Sequence, residues 1–282
     1  GDFIWAAADN RTRGFLMGAT AGRTTLNGEG LQHQDGNSHA IAFTVPNCEA
    51  YDPAYAYELA VIIRDGIRRM VYENEDVFYY VTVMNEFHAM PARPEDATDE
   101  SIVRGLYRYR PAKLQNPEAT AQLIGSGTIL NQVVRAQAKL AEYGVAAEVW
   151  SATSYKALYR DGCDCDRFNM LHPDCEARKP YVSECLENGD GEVVVAATDY
   201  VKMVPAAIGK WVSKPFVVLG TDGFGRSEGR DQLRDFFEVD WRFVTLAALN
   251  ALARNGKLPV ERVQQAIQDL EIDPDKLNPV LS

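Results

Sequence analysis

Two of the four histidines, His33 and His39, lie in one short glycine-bearing stretch, GLQHQDGNSH, with Asp35 between them. Imidazole titrates near neutral pH, so it can give or take a proton during a reaction, or hold an anion when charged. A carboxylate beside it can orient the ring. His33, His39 and Asp35 are therefore candidate proton-handling groups; the alternative is a polar turn in which the histidines are incidental. A second set gathers Cys163, Cys165, His172, Cys175 and Cys185 in GCDCDRFNMLHPDCEARKPYVSEC. Zinc takes four thiolate or imidazole ligands, usually from paired cysteines two to four residues apart. One Cys-x-Cys followed by two single cysteines is looser than that, so ordinary thiols are expected and no metal ligand is assigned.

Three glycine turns also invite chemistry. Gly125-Ser126-Gly127 joins a strand-like run to a helix-like one, as a dinucleotide-binding turn does, but Leu130 stands where the third glycine belongs. The next strand runs VWSAT, with no acidic residue to meet a ribose, so a tight strand-to-helix turn accounts for it better. A Gly-Asp-Gly triplet can open a magnesium and diphosphate site closed by a later asparagine. No asparagine follows Asp190 at that spacing, and Gly189–Gly191 precedes its strand, so it reads as a turn. Gly220–Gly223 has Asn250 at a suitable distance, but Asn250 sits in the apolar LAALNALA, and the match is accidental. After Leu219 the loop GTDGFGRSEG leads to a helix that Ser227 can cap. Loops at the carboxyl ends of α/β strands favour sites and interfaces. Arg226 is the strong anion-pairing group there, a candidate anion or interface contact; a plain turn and cap is the alternative.

These groups need a frame. DPAYAYELAVIIRDGIRRMVYE predicts the clearest helix, with Asp52 as its cap and Pro53 at the first helical position. Leu59, Ile62, Ile63, Ile67 and Met70 recur at helical spacing and mark its buried face. Val77 to Val83 is aromatic and β-branched without charge, as in a strand covered on both faces. HAMPARPEDATDESIVRG, with prolines and acidic residues, reads as a linker that continues through LYRYRPAKLQNPEAT. Beyond it, strands in TAQLIG, VAAEVWSAT, GEVVVAAT and KPFVVLGT alternate with helices: one through about Tyr143, a short one in TSYKALYRD, and others near 229–238, 240–255 and 259–269. Such alternation predicts an α/β sheet with helices on both faces.

The chain has 282 residues, 46% hydrophobic and 24% charged, which fits about two domains with a real core and no need of disulfides or metal. A formal net charge of −11 and a pI near 4.9 leave an acidic surface that repels phosphate backbones, so no nucleic acid partner is expected. No run approaches the roughly 18 apolar residues of a membrane helix, so no membrane partner is expected. No signal peptide is recognisable, and five cysteines fit reduced thiols in a cytoplasm. The opening GDFIWAAADN lacks an initiator Met, and a piece of a longer or processed protein is expected.

RGFLMGATAGRTTLNGEGLQHQDGNSH, TVPNCEAYDPAYAYELAVIIRDGIRRM and VLGTDGFGRSEGRDQLRDFFEVD resemble the single-chain, homodimeric form of the decarboxylating component of the bacterial pyruvate dehydrogenase complex. RDGCDCDRFNMLHP and the ending DKLNPVLS fit as well. The resemblance runs along this whole chain and corresponds to the last third of such a subunit, within the transketolase-like thiamine-diphosphate superfamily. It implies an α/β fold. Residues 1–90 would be the later part of a pyrimidine-binding domain, 91–116 a linker, and 117–282 a transketolase C-terminal-like three-layer α/β domain. It implies thiamine diphosphate and magnesium in the full-length parent. The activating glutamate and the diphosphate site would lie upstream of Gly1, so neither cofactor is expected to bind this chain tightly by itself. Implied partners are the upstream portion of the same polypeptide, a second copy in a homodimer, and the dihydrolipoyl acetyltransferase core, with pyruvate as substrate.

Within that resemblance His33 matches an active-site histidine near the bound intermediate, with substrate contact and proton transfer as its implied role. His39 matches a histidine that transketolase relatives carry in a similar loop, and Asp35 would orient one of the two. Asn37 departs from the pattern, because relatives often have His there; it can hydrogen-bond but cannot shuttle a proton. Two other functions stand beside this one: a non-catalytic C-terminal fragment serving dimer contact or docking, and a transketolase-type two-carbon transferase, against which the long family motifs argue.

Overall fold

The computed structural model describes residues 1–282, apart from the side chain of Thr20. The first unit runs α1 (Asp2–Asp9), β1 (Phe15–Ala21), α2 (Ser38–Thr44), β2 (Cys48–Tyr51), α3 (Ala56–Ile67, continued by a π turn over Arg68–Tyr72) and β3 (Phe78–Met84). Its sheet is parallel in the order β1-β3-β2. Successive side chains of the central β3 point to opposite faces. Tyr79 and Val81 pack with Val61, Ile62 and Met70 on the α3 side, and Phe78 packs with Ala8, Ala42 and Val45 on the α1 and α2 side. That double cover is why the run carries no charge.

Helix α3 departs from expectation at both its start and its face. It begins at Ala56, because the Glu58 carboxylate accepts the backbone N–H groups of Ala54 and, at 2.9 Å, Tyr55. Asp52 is thereby free of the capping role assigned to it. The buried stripe is Glu58, Val61, Ile62 and Gly66, with Met70 beyond, while Ile67 is 41% exposed. The face is turned by about one position from the apolar periodicity, because buried Glu58 and Gly66 belong to it and hydropathy does not count them.

The stretch 91–116 is not all connecting chain. It contains α4 (Asp99–Arg104), capped by the Thr98 hydroxyl, and β4 (Leu106–Arg110). The second unit continues with β5 (Ala119–Gly125), α5 (Ile129–Glu142), β6 (Val145–Ala152), α6 (Tyr155–Leu171), α7 (Tyr181–Glu187), β7 (Val193–Ala197), α8 (Met203–Ala206), β8 (Phe216–Leu219), α9 (Arg230–Phe236), α10 (Trp241–Arg254) and α11 (Val260–Asp269). The sheet order is β4-β6-β5-β7-β8, parallel except for the antiparallel edge strand β4. Val193, Val195 and Ala197 face the layer that holds α5 and α10, and Val194 and Ala196 face the layer of α6 and α7. Three layers result. Helix α6, capped by Ser154, has 17 residues instead of the short helix expected, and carries Cys163 and Cys165. No helix among the described residues is long and apolar enough to cross a membrane.

Candidate functional site

The carboxyl ends of the two sheets meet, and a buried chain of polar groups crosses the seam. Asp52, just past β2, accepts a hydrogen bond from Thr82 of β3 at 2.7 Å and from Ser126, just past β5, at 2.8 Å. Ser126 lies 3.0 Å from the hydroxyl of Thr198, just past β7. On the other side, Thr82 meets His39 Nε2 at 3.1 Å. The backbone fixes the same point: Asp52 donates to the Thr153 carbonyl at 2.8 Å and accepts from Gly127 at 3.1 Å. The Gly-Ser-Gly turn is thus filled by a carboxylate of this chain. A Cβ at Gly127 would stand 2.8 Å from the Asp52 oxygens, and one at Gly125 would stand 2.7 Å from the Leu130 Cα. Gly125 itself supplies the close strand-to-helix approach for which a third glycine was sought.

A second polar cluster lies at the same seam. Arg234 of α9 pairs with Glu86, which also accepts from Thr128 at 2.7 Å. Arg234 Nε donates to Thr24 at 3.2 Å, and the Thr24 amide donates to both Asp199 oxygens at 3.1 Å.

The histidine loop is braced by the loop after β8. Gln34 holds Arg226 in both directions, accepting from its amide at 2.8 Å and donating to its carbonyl. Ser227 donates to the Gly28 carbonyl at 2.9 Å, so it ties two loops together and does not cap α9, whose N-cap is Gly229. Arg230 donates to the Thr25 carbonyl at 2.8 Å. The Arg226 guanidinium lies 5.0 Å from the Phe236 ring centre and 3.3 Å from the Ser282 hydroxyl. The structure therefore places Arg226 against the stretch that carries His33.

The three candidate residues of that stretch sit in unlike surroundings. His33 is exposed. His39 is buried, with the Tyr200 ring edge-on at 4.6 Å and Tyr80 at 5.4 Å. Asp35 accepts from the amides of Asn37 at 3.0 Å and Ser38 at 2.9 Å, and from the Ser38 hydroxyl. It holds the approach to α2 through Asn37 and Ser38. Asn37 is exposed beside it.

Burial dominates the electrostatics. It lowers the His39 pKa to about 4, with the Asp35 charge opposing, so the ring is neutral at physiological pH. It raises Asp52 to about 7, against the two hydroxyl donors and with help from the Asp199 and Glu58 charges. It raises Asp199 to about 6, opposed by Arg234. Burial also works upward on Glu86, but Arg234 and Thr128 outweigh it and hold that carboxyl below its usual range. No motif in the sequence marks Asp52, Asp199, Arg234 or Glu86 as site residues.

The other motifs do not gather into a site. Cys163 and Cys175 are exposed, Cys165 is buried, Cys185 is intermediate, and all are free thiols. His172 ends α6 and packs on Phe168 at 4.5 Å. Gly189 belongs to a turn whose carbonyl accepts from Lys214 at 2.9 Å, and Asn250 is exposed on α10. Among the described residues no group of three or more His, Cys, Asp or Glu side chains is placed to hold a metal ion.

Comparison with known proteins matches residues 1–91 to the pyruvate dehydrogenase E1 component middle domain, and residues 105–240 to the transketolase-like C-terminal domain. The pyruvate dehydrogenase E1 component of Pseudomonas aeruginosa is 52% identical over 282 residues, covering 99% of this chain and 32% of that protein. The one from Escherichia coli K12 is 49% identical over 285 residues, covering 100% of this chain and 32% of that protein. The chain thus spans about a third of the length of the curated relatives it matches. Among solved structures, transketolase from Leishmania mexicana superposes with a TM-score of 0.65 at 17% identity, over 91% of this chain and 33% of that one, a likeness of fold.

Proposed function

This chain belongs to the pyruvate dehydrogenase E1 component family, and from that premise we propose that it is the C-terminal portion of a thiamine-diphosphate-dependent pyruvate dehydrogenase. The parent would decarboxylate pyruvate and pass the acetyl unit to the lipoyl group of a dihydrolipoyl acetyltransferase core, in the cytoplasm. Residues 1–90 are proposed as the later part of the pyrimidine-binding domain, 117–282 as the C-terminal domain, and 91–116 as the connection. The observation that carries this reading is the braced histidine loop, which carries exposed His33 and is tied to the loop at the carboxyl end of β8, where α/β folds place their sites.

Thiamine diphosphate would supply the electron sink when bound. The residues here would do the positioning. His33 would meet the substrate carboxylate or hydroxyl and move a proton at an imidazole nitrogen. Neutral His39 would accept or donate a hydrogen bond in the wall behind it. Asp35 would hold the start of α2, and with it the ring of His39. On the same premise, the diphosphate and magnesium anchor is assigned to the upstream portion of the polypeptide. A second copy in a homodimer is proposed as the remaining partner.

Two assays test this. The 282-residue chain by itself is expected to release no carbon dioxide from pyruvate in the presence of thiamine diphosphate and magnesium; turnover by this chain, freed of any longer form, would overturn the division of labour. In the longer protein, His33→Ala is expected to lower turnover by about 10-fold or more, as loss of a general acid–base group does. Unchanged steady-state kinetics would reduce the loop to structure. Activity with a ketose phosphate but not with pyruvate would favour two-carbon transfer instead.

A further inference from the structure

The polar chain at the seam bears on which nitrogen of His39 carries its proton. A threonine hydroxyl has one hydrogen to donate and lone pairs to accept with. The Thr82 oxygen lies 2.7 Å from Asp52 Oδ1 and 3.2 Å from the Tyr51 carbonyl oxygen. A carbonyl oxygen only accepts, and so does an ionised carboxylate, so the Thr82 hydrogen points toward that pair. What Thr82 offers to His39 Nε2, 3.1 Å away, is then a lone pair, and the imidazole must bring the hydrogen. We propose that Thr82, with Asp52 and the Tyr51 carbonyl behind it, is a positioning residue that fixes His39 as the neutral Nε2–H tautomer, leaving Nδ1 as its proton-accepting atom.

Three further observations support this. His39 and Thr82 are both buried, with 4% and 0% of their surface exposed, so water does not compete for the contact. The rings of Tyr200 and Tyr80 flank the imidazole edge-on and limit its rotation. Ser126 donates to the second oxygen of Asp52, which leaves the first to Thr82. The tautomer matters because it decides which nitrogen is basic, and the partner of one ring nitrogen sets the role of the other. The inference deepens the function proposed above, since it gives His39 its chemical state there. Its readout needs neither substrate nor cofactor, so it can fail while the proposed function stands, and the reverse.

The test is nitrogen-15 NMR of the histidine side chains in the 282-residue chain at pH 8, where Asp52 is ionised. His39 is expected as one neutral tautomer with its proton on Nε2. Thr82→Val keeps the shape but removes the acceptor, and is expected to give a mixture of both tautomers. Thr82→Ser restores the hydroxyl and is expected to restore the single species. A wild-type proton on Nδ1, or a wild-type mixture, would overturn the proposal even if the valine variant fails to fold. So would a single Nε2–H species in Thr82→Val with a native backbone amide spectrum.

Discussion

At the scale of single residues, burial separates side chains that are alike on paper. His33 and His39 share a stretch and a side chain, yet one is exposed and the other is held neutral inside the seam. Asp52 is the sharper case. An aspartate before proline and a helical run reads as a cap, and nothing local says otherwise. Glu58 takes that role, and Asp52 becomes the hub of contacts with Thr82, Ser126, Thr153 and Gly127. Its pKa, raised to about 7, has a consequence for stability. The folded state keeps the proton over a range in which the unfolded chain has lost it. The contribution of Asp52 is therefore fully present below its unfolded value near 4, and is lost as pH rises through 7. Asp52→Asn removes this term, while the opposing His39 term and the parallel Asp199 term remain in both proteins. The variant is expected to gain stability relative to the parent between pH 4 and pH 8, by on the order of 3–4 kcal/mol, read from urea midpoints at each pH. A parallel pair of pH profiles would contradict the assignment.

At the scale of elements, what was legible is what short-range physics decides. Strands β5 to β8 of the second sheet fall where their apolar runs put them, and α5, α10 and α11 where helical spacing does. Elements fixed by distant partners were not legible. The stretch 91–116, polar and proline-bearing, reads as a linker because β4 is an edge strand whose pairing partner, the antiparallel β6, is distant in sequence. Gly105 makes that connection. It closes α4 at φ +101°, and its carbonyl accepts from the amides of Thr153 at 2.9 Å and Ser154 at 3.2 Å. A Cβ there would overlap the Ser154 carbonyl oxygen and also meet Leu158. Gly105→Ala is expected to cost about 2 kcal/mol or more, from the left-handed backbone and the overlap together. The same glycine in an ordinary flexible linker would cost almost nothing, so thermal unfolding of this one variant distinguishes the two.

At the scale of the whole molecule, the two sheets share one core. A single apolar cluster runs from Tyr51, Ile62 and Tyr79 in the first unit through Ile102 and Tyr107 to Ile129, Val195 and Leu249 in the second. Polar links cross the seam as well, and one of them is invisible in the sequence, since Arg234 and Glu86 are separated by 148 positions. Shared burial makes unfolding of one unit expose the core of the other. We therefore expect one cooperative transition by calorimetry, with calorimetric and van't Hoff enthalpies in agreement. Arg234→Met sharpens the test. The Arg234 side chain is 4% exposed and that of Glu86 17%, so removing the cation strands a carboxylate in the seam. Breaking such a pair costs about 3 kcal/mol or more, because the remaining charge keeps its desolvation penalty. If the units depend on each other, that cost lowers the midpoint of the one transition. If they are separately stable, the variant instead resolves two transitions, with residues 1–90 and 117–282 melting apart, and the seam would then be a contact between domains and not part of either core.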